Sequence, residues 1–170
     1  MDRILPISLN KNLIYPVVII FLLVYGCRNI ENSKRLVMND SIKIHKTEAE
    51  WKQALSAEQY AVLRQKATER PFSGEYNIFT EHGVYYCAGC GAPLFSSDEK
   101  YTSDCGWPSF TDAINNKSII TAKDTSFGMV RTEIMCAACG GHLGHLFDDG
   151  PGPGGKRYCV NSVSLKFKKK

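Results

Sequence analysis

Cys-Ala-Gly-Cys-Gly at 87–91 and Cys-Ala-Ala-Cys-Gly at 136–140 are the two segments that decide the fold of this chain. In each segment a gap of two residues lets both sulfurs face one centre, and the final glycine permits a tight backbone turn behind the second sulfur. Two such segments together supply the four thiolates of a closed structural zinc site. The sequence therefore predicts one structural Zn²⁺ that staples two hairpins together, with the ligands Cys87, Cys90, Cys136 and Cys139.

Other interpretations of the paired cysteines stay open at this point. The four thiols would otherwise form two disulfides, or each pair would be a redox-active Cys-x-x-Cys. A general disulfide exchanger carries such a pair at the start of a helix, whereas each pair here ends in a glycine typical of a turn. A catalytic zinc is disfavoured, because four sulfur ligands leave no open coordination position.

Two capping boxes predict two short helices in front of the paired cysteines. The first box is formed by Thr47 with Glu50, and the second by Ser56 with Gln59. In each box the two side chains satisfy backbone N–H groups at the start of a helix. We expect Pro71 to end the second helix, because a proline disfavours helical backbone at the residue before it.

The rest of the chain has the signals of short strands. Runs of aromatic and β-branched residues lie at 83–86, 129–135 and 158–167, separated by glycine, asparagine, aspartate and serine. This pattern predicts a mainly β (α+β) fold, in which small N-terminal helices pack on mostly antiparallel strands. About 120 residues are enough to bury one core.

The composition argues against nucleic acid as a partner. The net charge of +4 over 170 residues is modest, and part of it comes from Lys168–Lys170 at the end. The sequence has no basic stripe interleaved with aromatic residues, which is the usual footprint of a nucleic-acid surface. We expect a monomer with one domain and an N-terminal extension.

The N-terminal extension resembles an export signal. Residues 13–25 are almost wholly apolar and follow Arg3 and Lys11. The apolar stretch is shorter than the roughly 20 residues of a membrane-spanning helix and fits the core of a signal peptide. Val-Tyr-Gly-Cys at 24–27 resembles a bacterial lipoprotein cleavage site, which makes Cys27 the predicted lipidation site. A short uncleaved anchor and a cleaved soluble product are the alternatives.

These features predict three segments: a lipoprotein-type signal peptide at 1–26, a polar tether at 27–46 and a folded domain at 47–168. The mature protein is then lipid-anchored to a membrane of the bacterial cell envelope and faces the periplasm or the exterior. That compartment is oxidising. An enzyme that uses free thiols there needs a dedicated electron donor.

Cys159 lies where a predicted strand leaves the glycine- and proline-rich loop at 148–155. With the strand periodicity of two, Arg157, Cys159 and Asn161 share one face, which apolar residues up to Phe167 continue into the core. A cysteine with a free pKa near 8.5 is only about 3% thiolate at pH 7. We expect Arg157 and a nearby protonated histidine to raise that fraction.

Cys105 and two histidines are further candidates for the site. Cys105 lies in a turn beside Trp107 and is expected to have a partner, because a free cysteine is a liability in an exported protein. Cys159 is the remaining unassigned thiol, so we expect it to pair with Cys105 in either a static or a reversible disulfide. His142 and His145 are flanked by glycines that permit a bent path toward one cavity. Alternatively, the two histidines lie on the surface, form supporting hydrogen bonds, or bind a second metal ion together with Cys159.

Several motifs of the chain resemble those of the B-type methionine sulfoxide reductases. The resemblance runs from about Trp51 to Phe167 and includes both cysteine pairs, while the signal and the tether lie outside it. Its other motifs are Thr-Glu-Arg-Pro-Phe-Ser-Gly at 68–74, Cys-Gly-Trp-Pro-Ser-Phe at 105–110, Gly-His-Leu-Gly-His-Leu-Phe at 141–147 and Arg-Tyr-Cys-Val-Asn-Ser-Val-Ser-Leu at 157–165. The agreement of so many motifs in one order is specific to that family.

The resemblance implies a fold and a set of residue roles. The fold is a β-tent of two antiparallel sheets with small peripheral helices and a zinc site away from the chemistry. Cys159 is then the nucleophile and Cys105 the resolving cysteine. Trp107 receives the S-methyl group of the substrate, and Arg157 lines the site. Three further residues bind and polarise the sulfoxide oxygen: His142, His145 and Asn161.

The reaction that the resemblance implies is the thiol-dependent reduction of the R epimer of methionine sulfoxide to methionine, in peptides and oxidised proteins. Cys159 becomes a sulfenic acid, Cys105 closes a disulfide with it, and a thioredoxin-like donor reopens that disulfide. His142 or His145 delivers the proton to the sulfoxide. A non-enzymatic binding module on the same scaffold is the alternative, although a pure binder does not require the two cysteines.

Overall fold

The structure, a computed structural model, describes residues 42–170. The predicted signal peptide, its Cys27 and most of the predicted tether lie outside the described residues. Within 42–170, no helix combines the length and the apolar character that a membrane crossing requires. The described end of the tether contacts the domain, because the N–H groups of Lys43 and Ile44 both donate to the carbonyl of Ala138.

Two short helices form where the capping boxes predict them. Helix α1 spans Glu48–Ala54 and helix α2 spans Ala57–Gln65. In both boxes the N-cap hydroxyl and the acidic or amide side chain each accept a backbone N–H, which confirms the prediction. The expectation that Pro71 ends α2 is wrong. The helix ends earlier, because Lys66 adopts a left-handed conformation with φ of 58°.

Nine strands form within residues 42–170: β1 (Gly83–Cys87), β2 (Pro93–Ser96), β3 (Lys100–Tyr101), β4 (Ser109–Phe110), β5 (Ile119–Asp124), β6 (Arg131–Cys136), β7 (His142–Phe147), β8 (Arg157–Val160) and β9 (Leu165–Lys169). They form a three-stranded sheet with the order β2-β1-β9 and a six-stranded sheet with the order β3-β4-β8-β7-β6-β5. Every pair of neighbours is antiparallel. The predicted mainly β fold with two antiparallel sheets is confirmed.

Aromatic side chains from both sheets form the core between them. Tyr85 on β1, Phe95 on β2 and Phe110 on β4 are fully buried. The ring of Phe110 stacks on Phe95 with 4.3 Å between centroids and meets Tyr85 edge-on at 5.1 Å. Burying a phenylalanine side chain is worth roughly 1.5–3 kcal/mol. Because β1 and β2 belong to one sheet and β4 to the other, these contacts hold the sheets together.

The two helices cover the turns that carry the paired cysteines. Trp51 on α1 and Leu63 on α2 are each only 2% exposed. A Cβ placed on Gly89 would lie 3.5 Å from Leu63 and 3.6 Å from Trp51, and one on Gly141 would lie 3.0 Å from Leu63. The helices therefore shield this end of both sheets from solvent.

The predicted single strand at 158–167 is wrong. A 3₁₀ turn at Ser162–Ser164 separates β8 from β9 and moves the chain from the larger sheet to the smaller one. The hydroxyl of Ser164 donates to the carbonyl of Asn161 at 2.7 Å, a local bond that competes with strand pairing. The expected alternating face is broken there, although Leu165 enters the core with 3% exposure.

The residue at position 144 has no room for a side chain. Gly144 on β7 pairs with Val160 on β8, and a Cβ built on it would overlap the carbonyl oxygen of Cys159. Since this oxygen belongs to the backbone of the neighbouring strand, a side chain at 144 cannot be relieved by a change of rotamer. The close approach of β7 and β8 therefore depends on glycine.

Gly144→Ala should separate β7 from β8 and lower the free energy of unfolding by about 3 kcal/mol, the upper end of the usual cost of overpacking. Chemical denaturation measures this change. Gly154→Ala is the matched control, because a Cβ there comes no closer than 4.0 Å to another atom. Equal unfolding free energies for the two variants would contradict the close approach.

Candidate metal centre and redox site

The four paired cysteines meet at one point, as the sequence predicts. Their sulfur atoms all lie within 4.8 Å of one another. The Sγ of Cys87 is 3.7 Å from that of Cys139, and the Sγ of Cys90 is 3.6 Å from that of Cys136. Sulfurs at the corners of a tetrahedron are about 3.8 Å apart when each lies about 2.3 Å from a central zinc ion. The four sulfurs therefore fit a tetrahedral metal site.

This geometry fits neither of the other interpretations, in which the four thiols form two disulfides or each pair is a redox-active Cys-x-x-Cys. A disulfide bond is about 2.0 Å long, and all six cysteines within 42–170 are free thiols. The glycine after each pair has the left-handed backbone expected of it, with φ of 75° at Gly91 and 69° at Gly140. In both turns the N–H of this glycine donates to the carbonyl of the first cysteine at 2.8 Å. Neither pair lies at the start of a helix.

A metal ion at this centre would connect hairpins from different sheets. The first cysteine pair lies in the turn between β1 and β2, and the second lies in the turn between β6 and β7. The first hairpin belongs to the three-stranded sheet and the second to the six-stranded sheet. Four sulfurs complete a tetrahedral coordination sphere, so the site has the character of a structural centre.

Cys139→Ser should remove the metal and destabilise the domain, because a hydroxyl is a poor replacement for a thiolate ligand. We expect zinc content, measured by elemental mass spectrometry, to fall to near zero and the melting temperature to fall by about 10 °C or more. Cys105→Ser is the control, because its sulfur lies outside the cluster. A Cys139→Ser protein that retains zinc and its melting temperature would exclude a four-sulfur site.

Cys105 and Cys159 form a second pair of sulfurs. Cys159 lies on β8 opposite Ser109 of β4, and Cys105 lies in the loop that precedes β4. The two Sγ atoms are 3.7 Å apart, and both side chains are partly exposed. A shift of less than about 2 Å brings them to the length of a disulfide bond. The structure thus brings together the two cysteines that the sequence assigns to redox chemistry.

The two thiols of this pair have opposite acidities. Burial, followed by the charge of the neighbouring Cys105, raises the pKa of the Cys159 thiol to about 12. Burial also acts to raise the pKa of Cys105, but hydrogen bonds with Ser103, Ser109, the Trp107 backbone and Cys159 together outweigh it, so the pKa of Cys105 is lowered. The first proton to leave the pair therefore comes from Cys105.

Arg157 lies beside the site and is engaged by a carboxylate. Its Nε and one terminal nitrogen donate to Asp149 at 2.7 and 2.8 Å, and its guanidinium lies 4.4 Å from the ring centroid of Phe147. The positive charge of Arg157 acts to lower the pKa of Cys159, but burial outweighs it. Arg157 therefore acts in the expected direction on the thiolate fraction of Cys159, although burial keeps the pKa of that thiol above its ordinary value.

A cavity of about 100 Å³ opens beside Cys159. Four residues that the sequence predicts for the site lie in its wall: Trp107, His145, Cys159 and Asn161. The wall is completed by Thr68, Arg131, Gly144, Phe147 and Val160. These nine residues come from a loop before β1, from the turn before β4 and from the strands β6, β7 and β8 with the residue that follows β8.

Five of the wall residues were not predicted for the site from the sequence, and two of these, Gly144 and Val160, lie inside the motifs at 141–147 and 157–165. Thr68 and Phe147 lie inside the motifs at 68–74 and 141–147, so the resemblance contained a signal for both. Arg131 lies outside every quoted motif. It reaches the cavity because β6 pairs with β7, and its guanidinium donates to Asp124 of β5 at 2.7 Å.

A buried glutamate positions two of the cavity walls. Glu69 is 9% exposed, and its carboxylate accepts the N–H groups of Ser162 at 2.6 Å and Val163 at 3.0 Å. Its own N–H donates to Oδ1 of Asn161, and its carbonyl accepts from Nε1 of Trp107. Burial raises the pKa of Glu69 against the effect of the two N–H donors. Trp107 and Asn161 are therefore held by the same residue.

A bulge turns both predicted histidines to the same side of β7. In the ladder between β6 and β7, Ile134 pairs with Gly144 but the next residue, Met135, pairs with His142, so β7 has one extra residue here. The rings of His142 and His145 lie 5.6 Å apart as a result. This is the bent path that the glycines of the motif predict.

Each histidine binds a carboxylate, but only His145 lines the cavity. Nδ1 of His142 is 2.8 Å from Glu133, and Nε2 of His145 is 2.8 Å from Asp124. Hydrogen bonds from Ser126, and then from His145, hold the pKa of Asp124 well below its usual range. We therefore assign the proton of the His145 ring to Nε2. Burial lowers the pKa of His145 against the effect of Asp124, so the ring is neutral at pH 7 and Nδ1 is an acceptor.

His142 belongs to a buried chain of polar groups. Nζ of Lys66 donates to Glu133 at 2.7 Å, and the other oxygen of Glu133 binds Nδ1 of His142. Glu133 and His142 are each only 3% exposed. Among residues 42–170, nothing forms a hydrogen bond with Nε2 of His142. The orientation of this ring is therefore set from one side only.

The fold and the site define a class: a two-sheet β protein with a cluster of four cysteines that fits a metal ion and a separate pair of neighbouring cysteines beside a cavity. A family model described as the SelR domain matches residues 55–169 of the chain. The match covers both cysteine pairs, the redox cysteines and the cavity. This chain belongs to the SelR domain family.

Curated relatives match over the same region. A peptide methionine sulfoxide reductase MsrB of Bradyrhizobium diazoefficiens is 57% identical over 128 residues, which are 75% of this chain and 92% of the relative. The protein of that name from Methanosarcina barkeri is 58% identical over 125 residues, 74% of this chain and 88% of the relative. That of Leptospira interrogans is 54% identical over 127 residues, 75% and 97% of the two chains.

Proposed function

We propose that this protein is a peptide-methionine (R)-S-oxide reductase, which reduces the R epimer of methionine sulfoxide in peptides and oxidised proteins to methionine. The observation that carries the proposal is the 3.7 Å separation of the Cys105 and Cys159 sulfurs, with Cys159 in the wall of a cavity that Trp107 also lines. Membership of the SelR domain family supports it, as do relatives named peptide methionine sulfoxide reductases.

The size of the cavity suits the end of one side chain. Its volume of about 100 Å³ is well below the roughly 300–1,000 Å³ of pockets that bury a drug-sized ligand. A methyl sulfoxide group fits such a space, while the rest of the peptide stays outside. Contact between the methyl sulfur group and the ring of Trp107 is favourable by about 0.3–1.5 kcal/mol.

In the first step, Cys159 attacks the electrophilic sulfur of the sulfoxide. Its raised pKa means that the thiol must lose its proton as it attacks. Cys159 and His145 are directly opposite each other on β8 and β7, which places their side chains on one face of the sheet. Nδ1 of His145 accepts the thiol proton and passes it to the sulfoxide oxygen, while Asp124 stabilises the transient positive charge.

The oxygen of the sulfoxide leaves with Cys159 as a sulfenic acid, and methionine is released. Asn161 and His142 are assigned to bind that oxygen, directly or through water. The amide of Asn161 lines the cavity, while Nε2 of His142 has no hydrogen-bond partner among residues 42–170. Arg157 supports the site from outside through Phe147.

In the second step, Cys105 attacks the sulfenic acid, releases water and closes a disulfide with Cys159. Its lowered pKa makes this thiol the more readily ionised of the two. A dithiol of the thioredoxin type then reopens the disulfide by exchange and supplies the two electrons of the cycle. The protein works as a monomer in this scheme.

Cys159→Ser should abolish the reduction of a peptide that contains methionine-R-sulfoxide, because no sulfenic acid can form. Cys105→Ser should release about one methionine per enzyme and then stop in a thioredoxin-driven assay. Quench-flow measurement of methionine release separates the two outcomes. Zinc content and melting temperature, unchanged in both variants, show that each is folded.

Retained turnover by Cys159→Ser would reject the assignment of the nucleophile. Full thioredoxin-driven cycling by Cys105→Ser would reject the assignment of the resolving cysteine. A thiol count on the unaltered protein provides an independent measurement, since methionine sulfoxide should consume the two thiols of this pair and leave the four metal-site thiols.

The four-sulfur centre is assigned to a structural Zn²⁺. We also assign the N-terminal segment to a lipoprotein signal peptide at 1–26 and a tether at 27–46, followed by the reductase domain at 47–168. Cys27 then carries the lipid, and the domain is displayed on the surface of a membrane in the bacterial cell envelope. The support for this assignment is the apolar run at 13–25 with the cysteine that follows it.

Cys27→Ser should release the protein from membranes, since acyl chains contribute about 0.8 kcal/mol per buried methylene and the anchor is lost with them. Fractionation of cells that express either form, with intact-mass measurement of the purified protein, tests this. An unmodified Cys27 in the membrane-bound protein would contradict lipidation.

A further inference from the structure

The loop between β3 and β4 carries Cys105 and is closed by two serines. Ser103 lies near the start of the loop, and Ser109 is the first residue of β4. Their hydroxyl oxygens are 2.7 Å apart, which is the length of a hydrogen bond. Ser109 is fully buried and pairs with Tyr101 on β3 and with Cys159 on β8. Strand pairing therefore fixes this pair of hydroxyls beside the redox cysteines.

Both hydroxyls contact the sulfur of Cys105. Oγ of Ser103 is 3.0 Å from this sulfur, and Oγ of Ser109 is 3.4 Å from it. Within 42–170, the thiol of Cys159 at 3.7 Å is the only other possible donor to the same sulfur. A thiolate accepts hydrogen bonds and donates none. An ionised Cys105 therefore depends on these hydroxyls for its hydrogen bonds.

The distances define a chain of donors that ends at the sulfur. Each hydroxyl has one hydrogen to donate. When Ser109 donates to Ser103, the hydrogen of Ser103 is left for the sulfur of Cys105, along the two shortest contacts of the group. When Cys105 carries its own proton, the hydroxyl of Ser109 can instead donate to the carbonyl of Trp107 at 3.3 Å. Ser103 is therefore the direct donor to the thiolate, and Ser109 supports it.

The backbone around Cys105 is held without the serines. The N–H of Phe72 donates to the carbonyl of Gly106 at 2.7 Å, and Nε1 of Trp107 donates to the carbonyl of Glu69 at 3.2 Å. Loss of one hydroxyl from the other side of the loop leaves these bonds in place. The hydroxyl of Ser103 can thus be removed without releasing the loop.

Cys105 is the group of this region whose charge changes between pH 6 and pH 10. Burial raises the pKa of Tyr101 and raises that of Cys159 to about 12. The carboxylate of Asp149 binds Arg157 and raises the pKa of that guanidinium further. The pKa of Cys105 is lowered despite its burial. Asp104, the preceding residue, is an exposed carboxylate.

We propose that Ser103 is a catalytic residue of the second step, with Ser109 as its positioning residue. Its hydroxyl donates a hydrogen bond to the thiolate of Cys105 while this sulfur attacks the sulfenic acid of Cys159. The S–S bond forms as the S–O bond breaks, so that the sulfur of Cys105 is oxidised and that of Cys159 is reduced. The oxygen leaves as water with the proton that Cys105 gave up. This inference rests on the proposed function, since it concerns the second step of that cycle.

The test follows the fate of the sulfenic acid in Ser103→Ala. The protein receives one equivalent of a methionine-R-sulfoxide peptide in the presence of dimedone, a carbon nucleophile that adds to sulfenic acids, and without a reductant. Intact-mass measurement gives the ratio of trapped protein to disulfide. This ratio reports how fast the disulfide closes relative to trapping, whatever the rate of the first step.

The expected result changes direction with pH. Loss of one hydrogen bond to a charged group should raise the pKa of the Cys105 thiol by about one unit. At pH 6 the thiolate fraction then falls about tenfold while the remaining thiolate becomes about threefold more nucleophilic, so closure is about threefold slower. At pH 10 most of the thiol is ionised in both proteins, and closure in the variant is about threefold faster.

Three further variants complete the comparison. Ser103→Thr keeps a hydroxyl at this position and should restore the behaviour of the unaltered protein. Ser109→Ala should shift the ratio in the same direction as Ser103→Ala, because Ser103 loses its partner at 2.7 Å. Ser73→Ala is the matched control and should have no effect, since the hydroxyl of Ser73 donates to the carbonyl of Arg70. Zinc content and melting temperature show whether each variant is folded.

Equal ratios for Ser103→Ala and the unaltered protein at both pH values would overturn the proposal and leave the proposed function intact. The same loss of closure at pH 6 and at pH 10 would overturn it as well, because the hydroxyl would then only shape the loop. Failure of Ser103→Thr to restore closure has the same meaning. If Ser103→Ala does not fold, Ser109→Ala decides by the same comparison. Absence of methionine release from the unaltered protein would instead reject the proposed function, and this inference with it.

Discussion

Four sulfurs at one point hold the two sheets in the arrangement on which the redox site depends. The turn at 136–139 closes the hairpin of β6 and β7, and the turn at 87–90 closes that of β1 and β2. The same β6–β7 hairpin contains the bulge that turns His145 toward the cavity and the Gly144 that admits β8 with Cys159. Continuous strand pairs therefore connect the four-sulfur centre to Cys159, so loss of this centre should also disturb the position of Cys159.

Within the redox pair, the more acidic thiol is the one assigned to act second. Burial raises the pKa of Cys159, and hydroxyl groups lower the pKa of Cys105. The first step as proposed thus needs a base, and His145, held by Asp124 opposite Cys159, is suited to that role. The second step needs none, because Cys105 is the readily ionised partner. A protonated Cys159 also reacts slowly with oxidants other than a bound sulfoxide, since the thiolate is the reactive form.

Local signals in the sequence predicted much of this fold, and long-range geometry accounts for what they missed. Capping boxes identified both helices, because N-cap bonds join residues close in sequence. The spacing of the cysteine pairs predicted the four-sulfur centre for the same reason. The 3₁₀ turn at Ser162–Ser164 was missed, since the distant carboxylate of Glu69 supports it in addition to the local bond between Ser164 and Asn161. Arg131 and the lowered acidity of Cys159 were missed because they arise from strand pairing and burial.

Distance alone does not separate the structural cysteines from the reactive ones. The sulfur pairs of the metal centre are 3.6 and 3.7 Å apart, and the redox pair is also 3.7 Å apart. The two sets of cysteines differ in their access to solvent and in the groups that surround them. Three of the four metal-site cysteines are buried beneath the helices, whereas Cys159 opens onto a cavity beside a histidine. A metal ion held by the four sulfurs would make them still less reactive, because their lone pairs would be used in coordination. The fold therefore gives the Cys105–Cys159 pair access to solvent and a cavity, while it encloses three of the other four sulfurs.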